Sequence, residues 1–352
     1  MPENAEIEET EEVEEVEVCD ICSNVEEDCD CQGCGICGNR VHQDRVECPH
    51  CNAAICGNCG SWHREGDYCS DCETCTSCCN CEDDSFIHSY SYKPIAQFIS
   101  ISKKDSYDKK IGLYFGIELE VNVSSRYDRQ ARAEKVQARL GDSAYLKEDG
   151  SLVSGGFEIV THPHTFHTMK EVWSDYFNKG RISGLSSFSS GECGLHIHIS
   201  RKALSRAQIR RMIVFVNSPE NYNFISLIAQ RGDTHYSQIK KKSPSAVAYV
   251  GDGGDDRYEA INLTNRKTIE VRIFRGSHRL DRVLKNLEFC HALTVFCNNA
   301  GYRDLTVEKF CKFVASNSKL YPNLVSYLQE FLPQSETELR DSFMAMLTTE
   351  ID

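Results

Sequence analysis

Residues 113–123, LYFGIELEVNV, alternate apolar and polar side chains. Leu113, Phe115, Ile117, Leu119, Val121 and Val123 fall on one face, the pattern of a half-buried strand. Glu118 and Glu120 then share the other face, roughly 6.6 Å apart at Cα. The same pattern recurs three times. In residues 156–161, GFEIVT, Phe157 and Ile159 point inward and Glu158 lies opposite. In 194–200, GLHIHIS, Leu195, Ile197 and Ile199 point inward and His196, His198 and Ser200 lie opposite. In 268–274, TIEVRIF, Ile269, Val271 and Ile273 point inward and Glu270 and Arg272 lie opposite. An ordinary solvated face would favour Lys, Thr and Ser. Joined in one sheet, these four strands would gather carboxylates, imidazoles and a guanidinium, the composition of a metal and phosphate site.

Helical periodicity fills the intervals. Helices are predicted over 127–140, 164–177, 205–217, 218–230, 279–298, 306–316 and 321–331. Ser205 and Gln208 have capping-box spacing. Ser218 and Pro219 read as an N-cap followed by Pro at the first helical position. Leu280, Val283, Leu284, Leu287 and His291 form one helical stripe. No Gly-rich phosphate loop follows a strand, so neither a Rossmann fold nor a P-loop is indicated. The predicted class is α+β, a largely antiparallel sheet with helices on one face.

Composition divides the chain. Of 53 acids, 39 bases and 20 cysteines in 352 residues, residues 1–81 hold 20 acids, 3 bases and 16 cysteines. The net charge of −14 is therefore −17 from that segment and +3 from the rest. This excludes a uniformly acidic protein and a broad basic surface for duplex DNA. The chain contains no run of the roughly 18 apolar residues a membrane helix needs. Its acidic start is unlike a secretory leader, so a cytoplasmic location is expected. Residues 1–18 carry nine Glu and no base, a solvated tail.

Six cysteine pairs have Cys-x-x-Cys spacing: Cys19/Cys22, Cys34/Cys37, Cys48/Cys51, Cys56/Cys59, Cys69/Cys72 and Cys75/Cys78. A reducing compartment disfavours disulfides, and the spacing suits tetrahedral Zn²⁺. The central eight cysteines resemble the cross-braced fingers of the FYVE, PHD and RING type. There Cys34, Cys37, Cys56 and Cys59 share one ion, and Cys48, Cys51, Cys69 and Cys72 the other. A sequential pairing fits the spacing equally. Cys19, Cys22, Cys29 and Cys31 would make a third site, and Cys75, Cys78, Cys79 and Cys81 a fourth. Closed thiolate sites are structural, and metal would supply the folding free energy that so small a segment lacks. With three arginines and no lysine among residues 1–81, nucleic acid is not the expected partner; a protein is. Cys193, Cys290, Cys297 and Cys311 read as buried core residues.

FGIELEV at 115–121, KEDGSL at 147–152, GFEIVTHP at 156–163, GLHIHIS at 194–200, RYEAINL at 257–263 and TIEVRIFRGS at 268–277 together resemble the bacterial and phage amidoligase family. That family belongs with glutamine synthetase and glutamate–cysteine ligase. The resemblance covers about residues 111–300. It implies ATP-dependent joining of a carboxylate to an amine through an acyl phosphate. It implies Mg²⁺ ligands at Glu118, Glu120, Glu158 and Glu270, with His196 or His198 on metal or a phosphate oxygen. Arg272, with Arg275 second, would steady the phosphoryl group. Asp149 and Ser151 would edge the site, and Arg257 and Asn262 would contact carboxylate substrate or nucleotide. Glu158 would also hold the amine. The alternatives are a zinc-scaffolded adaptor with an inactive ligase-like domain, and a metal-dependent hydrolase using His196 and His198. No His-Glu-x-x-His spacing supports the hydrolase.

The expected organisation is a tail at 1–18, a zinc module at 19–81, a linker at 82–110 with a short strand at 95–101, a catalytic domain at 111–332 and a C-terminal helix or tail at 333–352. Residues 231–256, with Lys240, Lys241 and Lys242, read equally as a solvated loop or as a lid over nucleotide.

Overall fold

The computed structural model describes residues 32–36, 40–41, 47, 53–56, 60–64, 67–69, 74–75, 86–150, 152, 155–187, 193–231, 258–333 and 337–349. The chain divides into two compact units, Met1–Asp83 with Lys93–Ile95, and Asp84–Tyr92 with Ala96–Asp352.

The described part of the first unit consists of short antiparallel pairings. β1 (Gln32–Gly33) pairs with β2 (Arg40–Val41), β3 (Ala54–Ile55) with β4 (Trp62–His63), and β5 (Tyr68–Cys69) with β6 (Thr74–Cys75). Cys34, Val41 and Ala53 form its small core, with Trp62 packed against it. Ile36 N–H donates to Cys34 Sγ at 3.4 Å, in a tight turn. Cys34, Cys56 and Cys75 are buried, and neither they nor Cys69 forms a disulfide. The other proposed zinc ligands, Cys19, Cys22, Cys29, Cys31, Cys37, Cys48, Cys51, Cys59, Cys72, Cys78, Cys79 and Cys81, lie outside the described residues.

The second unit is α+β, as its periodicity predicts. Its eight-stranded sheet runs in the order β13 (Ile261–Asn262), β14 (Thr268–Arg275), β12 (Gly194–Ser200), β8 (Phe115–Val123), β10 (Phe157–Thr161), β9 (Ala144–Lys147), β7 (Ile87–His88). β11 (Leu185–Ser186) pairs with the far end of β8. Every pairing is antiparallel except β7 with β9, so the sheet is mixed. The described helices are α1 (Ser106–Ile111), α2 (Arg129–Leu140), α3 (Phe166–Asn178), α4 (Arg206–Asn217), α5 (Tyr222–Ala229), α6 (Leu280–Asn299), α7 (Val307–Ala315), α8 (Pro322–Phe331) and α9 (Thr337–Thr349). None is long and apolar enough to cross a membrane.

The aliphatic stripe of β8 is fully buried, and so are the inward residues of β10, β12 and β14. The apolar sides of α2, α3, α4 and α6 join them in one core. Ser205 and Gln208 form the expected capping box at α4. The helix expected over 218–230 divides instead into a 3₁₀ turn at Pro219–Asn221 and α5. Cys193, Cys290, Cys297 and Cys311 are buried.

Residues 84–92 and 96–110, expected as linker, belong to the second unit. They supply β7 and α1, and the strand expected at 95–101 reduces to one bridge, Ile99 with His164. Asp105 explains the docking. It is 1% exposed and accepts from Thr165 Oγ1 at 2.7 Å, His167 N at 2.8 Å, Thr168 Oγ1 at 2.8 Å and Thr168 N at 2.9 Å. It therefore satisfies the first turn of α3 from outside that helix.

A candidate metal and phosphate site on the polar face of the sheet

The register brings the predicted polar residues together. Glu118 lies opposite His196, Glu120 opposite Glu158, and Glu270 opposite both His198 and Asn262. A bulge in the β12–β14 pairing, between Leu195 and Ile197, lies where His196 stands. Glu118 Oε1 is 3.1 Å from His198 Nε2, and Glu118 Oε2 is 3.6 Å from His196 Nδ1. Glu270 Oε1 is 3.4 Å from His196 Nδ1 and 4.0 Å from His198 Nε2. Arg272 Nη1 also donates to that oxygen.

Glu120 is placed by a glycine. Its Oε2 accepts the Gly194 N–H at 2.5 Å. A Cβ on Gly194 would stand 2.9 Å from His196 Nε2, so a side chain here would push the imidazole tip away from its present approach to Glu120. Asn262 is committed within the protein: Nδ2 donates to Glu270 Oε2 at 2.7 Å, and Oδ1 accepts from Thr264. The structure thus places Asn262 as a support for Glu270. Arg275 ends β14 opposite Gly194 with an exposed side chain. Arg257 and Ser151 lie outside the described residues, as do Lys240, Lys241 and Lys242.

Among the described residues, three sets of donor atoms fall within 4.8 Å of one another: Glu118, Glu158 and His196; Glu118, His198 and Glu270; Glu120, Asp149 and Glu158. The sets share members, as expected of neighbouring ions bridged by carboxylates. His198 Nε2 is buried and, although 3.1 Å from Glu118 Oε1, is not aligned for a hydrogen bond with any described residue, while Nδ1 pairs with Thr268 Oγ1 at 3.0 Å. Without metal, Glu118 and Glu270 keep a proton on this imidazole; with Nδ1–H donating to that hydroxyl, a divalent ion would replace the Nε2 proton and take its lone pair, the disposition of a metal-ligating imidazole. The oxygen-rich donor sets suit a hard divalent ion such as Mg²⁺.

The electrostatics show how crowded the acids are. Burial and the charge of Glu118 push the Glu158 carboxyl well above its ordinary range, with Lys147 Nζ at 3.2 Å as partial compensation. Burial also raises Glu120, partly offset by His196. Burial opposes the charge on Glu118, yet His198 and His196 hold its carboxyl well below the usual range. Burial opposes the charge on His198 too, but Glu118 and then Glu270 raise it to about 9.

Two cations were not foreseen. Lys147 ends β9, whose Ala144-Tyr145-Leu146-Lys147 alternation is a strand signal too short to stand out. Arg231 follows α5 and donates to the carbonyls of Arg272 at 2.5 Å and Ile273 at 3.1 Å. Burial lowers its pKa to about 10, against the attraction of Glu120. It has no sequence signal, because it reaches the site only through the packing of α5 on the sheet.

No family model matches the chain, and no curated protein matches it. Solved structures do. One is the crystal structure of the complex between the Prokaryotic Ubiquitin-like Protein Pup and its Ligase PafA, matched with a TM-score of 0.27 and 12% identity. The match covers 67% of this chain and 63% of the solved one, so this chain spans less than two thirds of that structure's length.

Proposed function

We propose that the polar face of the sheet is the active site of an ATP-dependent ligase that joins a carboxylate to an amine. The observation that supports this best is the three overlapping donor sets on one rigid sheet face. Glu118, Glu120, Glu158, His198 and Glu270 would hold magnesium, with His196 as a further ligand. Ions held by these residues would supply charge neutralisation of the triphosphate and of the transferring phosphoryl group.

The chain's own residues do the rest. Arg272, with Arg275 as the second candidate, steadies the phosphoryl group as a carboxylate oxygen of the substrate displaces ADP from the γ-phosphorus. The product of that step is an acyl phosphate. Glu158 holds the amine, whose nitrogen then attacks the acyl carbon; phosphate leaves and the amine nitrogen gives up a proton. Lys147 restrains Glu158, and Asn262 restrains Glu270, so both carboxylates are pre-positioned. In this reading the cysteine-rich unit is a zinc module that recruits a protein target or partner.

The test is phosphate release by the full chain with ATP, Mg²⁺ and a panel of carboxylates and amines. Glu120→Gln and Glu270→Gln should each lower the rate by roughly a hundredfold or more, beyond the usual cost of disturbing a ligand's support, while the fold is kept. Absence of both phosphate release and ATP binding in the unaltered protein overturns the reading. For the first unit, elemental analysis should find about two to four zinc ions per chain; a metal-free, disulfide-bonded unit would refute the zinc module.

A further inference from the structure

On the helical side of the sheet, away from Glu118, lies a cavity of about 480 Å³. That volume is within the usual ~300–1,000 Å³ of small-molecule sites. Its walls are apolar at Ile111, Leu204 and Leu320, and polar at Asp108, His291 and Tyr321. His291 is committed to the protein. Its Nδ1 pairs with the Tyr321 hydroxyl at 2.9 Å, and its ring stacks on Phe166 at 4.0 Å.

Asp108 is different. It is only 7% exposed. Its ionic neighbour is His291 Nε2, 3.7 Å from Oδ2, beyond hydrogen-bond distance. Its backbone carbonyl takes the N–H groups of Gly112 and Leu113. Its carboxylate accepts no hydrogen bond from the described residues. Lys104 also lines the cavity but forms no ion pair with it. The contrast with Asp105, three residues earlier and saturated with four donors, is direct. A carboxylate about nine-tenths buried, at the wall of a cavity and without a hydrogen bond, is stabilised by a cation or by donors placed in that cavity.

We propose that this cavity binds a small primary ammonium ion with a hydrocarbon body. The ammonium group donates to Asp108, and the hydrocarbon lies against Ile111, Leu204 and Leu320. A divalent metal is disfavoured, because a single carboxylate offers too few oxygen ligands; an anion is repelled by Asp108. Occupancy would be felt across the sheet through Phe115, which begins β8 with its ring 5.8 Å from that of His291. Glu118 and Glu120 stand further along that strand.

The experiment is calorimetric titration of the full chain with hexylammonium, phenethylammonium and, as an uncharged control, 1-hexanol. Saturable one-to-one binding of an ammonium ion is expected, with hexanol at least about tenfold weaker for want of the charge-assisted contact. Asp108→Asn should weaken ammonium binding by about tenfold or more without altering the thermal midpoint. Leu204→Trp should fill the cavity and abolish binding. Glu270→Gln should leave it unchanged. No saturable heat, equal affinity for hexanol, an Asp108→Asn chain that binds as before, or loss of binding in Glu270→Gln would each overturn the proposal.

Discussion

Two buried carboxylates separate structural from functional acids by the sign of their effect on stability. Asp105 serves four donors, three of them on Oδ2. Burial works to raise its pKa, but the bonds from Thr165, His167 and Thr168 win and lower it. In Asp105→Asn the amide oxygen replaces one carboxylate oxygen, and the amide nitrogen cannot accept from the donors on the other. Charge-assisted bonds are worth about 1.5–3 kcal/mol each and neutral ones about half that. The substitution should therefore cost about 2–4 kcal/mol, or roughly 5–15 °C in midpoint for a unit of this size. Glu120 presents the opposite balance. It accepts one hydrogen bond, from Gly194, and burial raises its pKa. An acid whose folded pKa is raised loses stability once the pH exceeds its unfolded pKa, so at pH 7 its charge works against the fold. Gln at position 120 keeps an oxygen for the Gly194 N–H and removes that charge. Without added divalent ions, Glu120→Gln should leave stability equal or higher, by about 1 kcal/mol at most. Denaturant unfolding at pH 7, followed through the buried Trp173 by near-UV circular dichroism, measures both. If Glu120→Gln is destabilised as much as Asp105→Asn, Glu120 is a structural acid and the reasoning fails.

Gly194→Ala should lower the proposed ligase activity about as much as Glu120→Gln, because its Cβ meets His196 Nε2 at 2.9 Å; steady-state phosphate release checks this. Burial lowers the pKa of His164 and of His278 to about 4. A base with a lowered folded pKa costs stability as pH falls through its unfolded value near 6.5 and on towards 4. Each of these histidines should therefore take away about 2 kcal/mol of unfolding free energy between pH 7 and pH 5, opposed by the raised acids of the sheet face, so the stability of His164→Gln relative to the unaltered protein should rise by about that amount over the same interval. Glu288 is fully buried, paired with Lys170 at 2.6 Å, and accepts from Asn323 Nδ2 and Leu324 N at the start of α8. Glu288→Ala leaves a half-buried ammonium uncompensated and should cost about 3–5 kcal/mol by denaturant unfolding, with partial recovery in the double variant carrying Lys170→Met.

The strands that hold the site were legible before any coordinates, because side-chain alternation is a local property of an extended chain. Phe115–Val123 and Gly194–Ser200 each assign their polar residues to one face without reference to a partner strand. Which residues then touch is a matter of register. Nothing local sets Glu118 opposite His196 with His198 also within reach, or Glu120 opposite Glu158. The short elements show the same limit from the other side. Ile87–His88 and Ala144–Lys147 are too brief for periodicity to declare, and they form because neighbouring strands offer them unpaired backbone. The 82–110 segment reads as polar connector, yet Asp105 binds it to α3 through donors some sixty residues away. Arg231 and Lys147 joined the acidic face for the same reason. Local sequence therefore determined the faces and the candidate chemistry of this protein. Only tertiary packing decided the neighbours, because hydrogen-bond pairing between strands and the burial of charge depend on residues far apart in the chain.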